Sequence, residues 1–150
     1  MKIEEIEIPN KIVLDTGIYI EYFKKSESDI KKFLRENLFT EQSNTKLYST
    51  FIIKSEIYYI LCRILGKKEA NQLLKKIENF LLFEDNPNLY DLAGQIKCYH
   101  SISLADCYSI ATGIIRNCPI LFLEEQELSE EIVNQINKNF HSKVILLERE

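Results

Sequence analysis

Glycine and proline are scarce in this chain of 150 residues, at four and three respectively. That scarcity argues against a loop-rich β-sandwich and against a low-complexity chain. No apolar run approaches the roughly 18–20 residues that a membrane span needs. The opening stretch, MKIEEIEIPNK, carries acids where a secretory signal needs a basic flank and an apolar core. The expectation is one cytoplasmic domain over residues 1–150 with no membrane partner. Cys62, Cys98, Cys107 and Cys118 form no C-x-x-C pair, and His100 and His141 do not complete a zinc spacing. Reduced, structural thiols follow as the expectation. Aspartate is rare as well: only Asp15, Asp29, Asp85, Asp91 and Asp106 among 23 acidic residues, the other 18 being Glu.

What is present is a globular balance, 45% hydrophobic and 28% charged, with a net charge of −4. Bulk positive charge therefore does not hold this protein on nucleic acid. A metal-dependent nuclease, which needs carboxylates at its centre, is not excluded by that sign.

Short apolar runs alternate with segments of helical period. Residues 11–15 (KIVLD), 46–49, 81–84, 120–123 (ILFL) and 143–147 (KVILL) read as strands. Helices are predicted over 16–24, 28–37, 50–66, 69–80, 88–99, 103–117 and 129–139. In the strongest of them Ile53, Ile57, Ile60, Leu61 and Ile64 recur at helical spacing, and Gly66 ends it. Pro87 suits the entry to 88–99, where its missing N–H costs nothing. Five apolar strands separated by helices predict an α/β fold, a three-layer α/β/α sandwich on a parallel sheet.

Ligands of such sheets bind beyond the carboxyl ends of the strands. Asp15 ends the first strand and Thr16 follows it; the plainer role for Asp15 is to cap the next helix. Glu56 has Ile52, Ile53, Tyr59 and Ile60 at i−4, i−3, i+3 and i+4, with no Lys or Arg at those spacings. A carboxylate buried there unpaired costs several kcal/mol, on the order-of-magnitude scale, unless it is protonated or binds a cation. The alternative is a Glu at the rim of the stripe that reaches water. Asp106 lies between Ile102 and Ile110, and Ser103-x-x-Asp106 also fits a capping box. After the fourth strand come Glu124, Glu125 and Glu127, whose ordinary role is a solvated helix entry. If these acids converge, they cannot all ionise without a cation. An oxygen-only set suits Mg²⁺ or Mn²⁺, and such sites commonly act on phosphate esters.

These residues resemble the PIN-domain family, and within it the VapC-type toxin ribonucleases of prokaryotic toxin–antitoxin pairs. The resemblance rests on Asp15-Thr16 after the first strand, Glu56 in an apolar helix, ISLADCYSIATG at 102–113 and the acids after strand four. The segment 102–113 is similar to the family's L-A-D-x-x-x-A helix. The likeness runs over about residues 12–147 and implies a five-stranded sheet of order 3-2-1-4-5. It implies a Mg²⁺- or Mn²⁺-dependent endoribonuclease that leaves a 5′-phosphate and a 3′-hydroxyl. Asp15, Glu56 and Asp106 fall on three acidic positions, with Asp15, Asp106 and Glu125 or Glu124 holding the metal and Glu56 ligating or orienting the attacking water. Thr16 matches the family's hydroxyl, and Ser103 supports Asp106.

The fourth position departs from the family's T-x-D-x-x-F: Glu125 replaces the Asp, Leu123 replaces the Thr, and Glu124 is a possible substitute ligand. The altered motif supports a rival, a degenerate PIN-like module that binds RNA or a protein partner. The likeness also implies an RNA substrate, a homodimer and an antitoxin over the acidic cleft. Lys24-Lys25, Lys31-Lys32-Arg35, Lys67-Lys68, Lys75-Lys76 and Arg116 are candidates for an RNA track, or simply solvated helix faces. Tyr19, Tyr22 and Phe23 are candidates for base stacking, or for core.

Overall fold

The computed structural model describes residues 1–149. Five strands run parallel: β1 (Lys11–Leu14), β2 (Lys46–Ser49), β3 (Leu81–Phe83), β4 (Ile120–Leu123) and β5 (Val144–Leu147). Their order is β3-β2-β1-β4-β5, as expected. Seven α-helices connect them: α1 (Thr16–Phe23), α2 (Asp29–Asn37), α3 (Phe51–Leu65), α4 (Lys67–Glu78), α5 (Asn88–Tyr99), α6 (Leu104–Arg116) and α7 (Glu130–Phe140). A 3-10 turn at Ile3–Glu5, which carries no periodic signal, precedes β1.

Strand alternation divides the apolar residues into two cores, because successive side chains point to opposite faces. Ile12, Leu14, Leu47, Leu121 and Leu123 face α1 to α4 and pack with Ile18, Ile30, Leu34, Ile53, Ile57 and Leu74. Val13, Tyr48, Ile120, Phe122 and Val144 face α5 to α7 and pack with Ile96, Ile110, Ala111 and Ile136. Both faces of the sheet are thereby covered, which is what continuous apolar strands demand.

Most helix starts shift by one residue from the periodic pattern, because a capping side chain occupies the first position. Ser28, Thr50, Ser103 and Ser129 each accept a hydrogen bond from the amide three residues on, and lie just outside their helices. Gly66, at φ 91°, both ends α3 and opens α4, so α4 begins at Lys67 rather than 69. The apolar period of α3 outruns its core: Ile53, Ile57 and Leu61 are buried but Ile64 is 65% exposed. All four cysteines are free, but only Cys107 and Cys118 are buried; Cys98 is exposed.

The aromatic residues after β1 go inward. Tyr19 is fully buried, and Tyr19 and Tyr22 pack on Phe39 at ring distances of 6.1 and 4.6 Å. Core, not base stacking, is the role this packing gives them. Arg116 leaves the basic track for a structural reason too: it donates to the buried Glu84 (3.1 Å from its Nη2) and lies 4.7 Å over the Tyr48 ring. No helix among the described residues is long and apolar enough to cross a membrane.

Candidate active site

The chain leaves β1 toward β2 on one side and returns after β3 to β4 on the other, so connections diverge between the central strands β1 and β4. Divergence of that kind opens a crevice at the carboxyl edge. A cleft of about 320 Å³ lies there, lined by Asp15, Thr16, Gly17, Glu56, Ser103, Asp106, Glu125 and Glu127, with Lys24 and Arg149 at its margin.

Asp15 is 5% exposed and both caps α1 and faces this cleft, so the two roles available to it coincide. Its Oδ2 accepts from the Gly17 amide at 3.5 Å and its Oδ1 from the Ser109 hydroxyl at 3.3 Å. Its backbone amide donates a hydrogen bond to the Leu121 carbonyl at 2.9 Å, which ties the end of β1 to β4. Burial first, then the charge of Asp106 and, after it, that of Glu56, hold its carboxyl well above the usual range, although the amides of Thr16 and Gly17 pull the other way.

Asp106 stands in the first turn of α6, 9% exposed, with its amide donating to the Ser103 hydroxyl at 3.1 Å. Burial pushes its pKa up to about 6; Ser103 opposes, and Glu125, Glu56 and Glu127 add to the rise. Asp15 and Asp106 are therefore each raised by acids carried on elements far apart in sequence. Glu56 is half-buried on the cleft wall.

Of the two candidates after β4, Glu125 lines this cleft, whereas Glu124 lines the adjoining depression with Gln126 and Ser129. A Cβ on Gly17 would stand 3.7 Å from Glu125 Oε1 and 3.9 Å from Asp15 Oδ2, so these two oxygens flank one point. Thr16 Oγ1, in a side chain 3% exposed, has no hydrogen-bond partner among the described residues and lines the same cleft.

Among the described residues no group of three or more Asp, Glu, His or Cys side chains is arranged to hold a metal ion. The chemistry of the donors nonetheless fits a hard divalent cation: oxygen only, acids raised by burial and by one another, and an orphaned hydroxyl beside them. What is lacking is their closure about a common point.

Three contributors carry weak or no sequence signals. Ser109 lies one turn beyond Asp106, and that i+3 spacing could have placed its hydroxyl on the same face. Glu127 belongs to an acid run whose path after β4 only the fold decides. Arg149 reaches the cleft from the exit of β5, and nothing local in the sequence marks it.

A family model described as PIN domain matches residues 12–135. Among solved structures, VapBC2 from Rickettsia felis bound to a DNA fragment from their promoter is similar at TM-score 0.65 and 15% identity, covering 93% of this chain and 99% of that one. VapBC-1 from nontypeable Haemophilus influenzae is similar at TM-score 0.62 and 14% identity, covering 93% and 97%. FitAcB from Neisseria gonorrhoeae is similar at TM-score 0.54 and 21% identity, covering 74% and 86%. At these identities the likeness is one of fold. No curated protein matches the sequence.

Proposed function

The chain belongs to the PIN domain family, whose members are generally nucleases, and from that premise we propose that it is a Mg²⁺- or Mn²⁺-dependent endoribonuclease, the toxin of a prokaryotic toxin–antitoxin pair. The observation that carries this proposal is the cleft in which Asp15 and Asp106 are both buried and both raised, Asp15 by burial and the charges of Asp106 and Glu56, Asp106 by burial and the charges of Glu125, Glu56 and Glu127. Purely structural carboxylates are ordinarily paired with a base, as Glu84 is with Arg116. These two are not shown paired with any base. Two buried acids gathered with no base shown against either suit a cation from outside.

Asp15, Asp106 and Glu125 would hold that cation; Glu124 does not line the cleft. A bound divalent ion would lower the pKa of a water and offset charge on a phosphodiester. The chain's own residues then have separable tasks. Ser109 and the Gly17 amide fix the Asp15 carboxylate through both its oxygens. Ser103 fixes the start of α6 and with it Asp106. Glu56, on α3, orients the attacking water. The buried Thr16 hydroxyl is free to accept or donate one bond at the cleft wall. No Cys or His nucleophile is required, because hydrolysis needs no covalent intermediate.

An antitoxin partner is supported by the neighbours described as toxin–antitoxin systems, among them VapBC-5 from Mycobacterium tuberculosis. A homodimer and a cytoplasmic location belong to the same proposal. A second reading, a degenerate module that binds without cutting, is favoured by Leu123 in place of a hydroxyl and by the unclosed donor set. Cleavage of single-stranded RNA with Mn²⁺, with and without EDTA, separates the two. We expect cleavage that EDTA abolishes and that Asp15→Asn reduces by at least about 100-fold; cleavage unchanged in Asp15→Asn would remove the assigned site.

A further inference from the structure

Six acids line the cleft, Asp15, Glu21, Glu56, Asp106, Glu125 and Glu127, against two bases, Lys24 and Arg149. A polyanion approaching this surface needs cationic contacts besides any metal. Lys24 is engaged: its ammonium lies 2.8 Å from Glu21. Arg149 is placed differently. Its Nε donates to the Glu124 carbonyl at 2.8 Å, which fixes the side chain through one nitrogen. Its Nη2 stands 3.6 Å from Glu125 Oε1, beyond hydrogen-bond distance, with both side chains about half exposed. A loose, exposed pair of that kind contributes little and exchanges readily. Guanidinium binds phosphate oxygens through two parallel N–H bonds, a better match than a distant carboxylate.

The backbone explains why the arginine is held there. The β4–β5 ladder continues past the strands through the Glu124 amide to the Leu147 carbonyl at 2.9 Å. On the outer side the Met1 carbonyl accepts from the Glu148 amide at 2.9 Å. The exit of β5 is clamped from both flanks, and Arg149 is the next residue. We propose that Arg149 is a substrate-binding residue of the cleft, whose guanidinium takes a backbone phosphate of the bound nucleic acid beside Glu125. This rests on the nuclease reading of the same site and adds to it the contact that lets an acidic protein hold an anionic chain.

The test measures binding and cleavage separately. Binding of a fluorescein-labelled oligouridine is followed by anisotropy in Mg²⁺, on Asp15→Asn protein with and without Arg149→Ala or Arg149→Lys. Arg149→Ala is expected to weaken binding about 10-fold and to reduce the slope of log K against log salt by about 0.7, one phosphate on a single strand. Arg149→Lys should restore part of the affinity, since it keeps the charge and loses the fork. In otherwise unaltered protein, Arg149→Ala should raise KM more than it lowers kcat, with an unchanged melting temperature.

Equal affinity and equal salt slope in Arg149→Ala would overturn the proposal. So would tighter binding, which would make Arg149 an obstruction, and so would a parent protein that binds no oligonucleotide. If unaltered protein cuts no RNA but Arg149→Ala still weakens binding, the nuclease reading fails and the contact stands. If it cuts and Arg149→Ala changes nothing, the contact fails alone.

Discussion

Asp15 is the most buried acid of the cleft, and Gly17, two residues on, borders the space beside it. A methyl group on Gly17 would make ordinary contacts, 3.7 Å to Glu125 Oε1 and 3.9 Å to Asp15 Oδ2, and Gly17 has no positive φ to protect. Gly17→Ala should therefore fold normally, with an unchanged or slightly raised melting temperature, since alanine suits a helix better. It would also fill the point that the two carboxylates flank. We expect activity to fall about 10–100-fold, because small displacements of reacting groups are costly. Retained activity in a well-folded Gly17→Ala protein would show that nothing essential occupies that point. Asp15, Glu56 and Asp106 were legible as residues because each is charged among apolar helical or strand neighbours, a local conflict that the sequence displays. Glu125 was not separable from Glu124, since adjacent residues differ only in the direction the backbone gives them.

At the scale of elements, α6 sits close against the sheet at Gly113. A Cβ on Gly113 would stand 2.2 Å from both Cδ1 and Cγ1 of Ile120, a fully buried residue of β4. Gly94, in α5, has nothing within 4 Å of its Cβ position. The same substitution should thus have opposite signs. Gly113→Ala is expected to destabilise by about 1–3 kcal/mol through overpacking, and Gly94→Ala to stabilise by about 0.5–1 kcal/mol. Urea midpoints check both, with the m-value held constant. If Gly113→Ala is as stable as the parent, the tight seating of α6 on β4 is wrong. That seating matters for the site, because α6 carries both Asp106 and Ser109 to the strand-end crevice. Element types followed from hydrophobic period, while their ends followed from caps: Ser103 reads as helix in a periodic pattern and stands outside it once its hydroxyl takes the Asp106 amide.

For the whole molecule, the gathered acids are expected to make stability depend on pH and on cations together. Asp15 and Asp106 have folded pKa values raised above their unfolded ones, near 4. Groups raised in this way favour the folded state below the unfolded pKa, and that contribution is lost as pH rises through the folded value, about 6 for Asp106. Glu84 acts oppositely. Burial raises it, but Arg116 and the amides of Asn86 and Asp85 outweigh that and lower it, so its contribution is lost only below the ordinary carboxylate range. In EDTA the melting temperature should therefore peak near about pH 5 and fall toward about pH 7.5. Adding Mn²⁺ near neutrality should restore several degrees, since a ligand at about 100 times its Kd contributes about 2.7 kcal/mol. The gain should shrink near pH 5, below the value of about 6 to which Asp106 is raised, because the protonated carboxyl is a poorer ligand. A cation effect equal at both pH values would mean that these carboxylates do not bind the ion.

The sequence by itself determined the sandwich. Apolar runs of strand length alternating with amphipathic helices admit few arrangements other than a parallel sheet covered on both faces, because every such strand must be buried twice. It also marked three acids, since a charge amid apolar neighbours is visible within about four residues on either side. Tertiary structure alone decided which further groups join them. Ser109 reaches Asp15 across 94 residues and Arg149 reaches Glu124 across 25. Such partners meet because strand order sets β1 beside β4 and β4 beside β5, and no local pattern encodes a meeting between distant segments. Orientation was decided there too: the path of the chain after β4 turns Glu125 into the cleft and Glu124 out of it, though the two share the same chemistry.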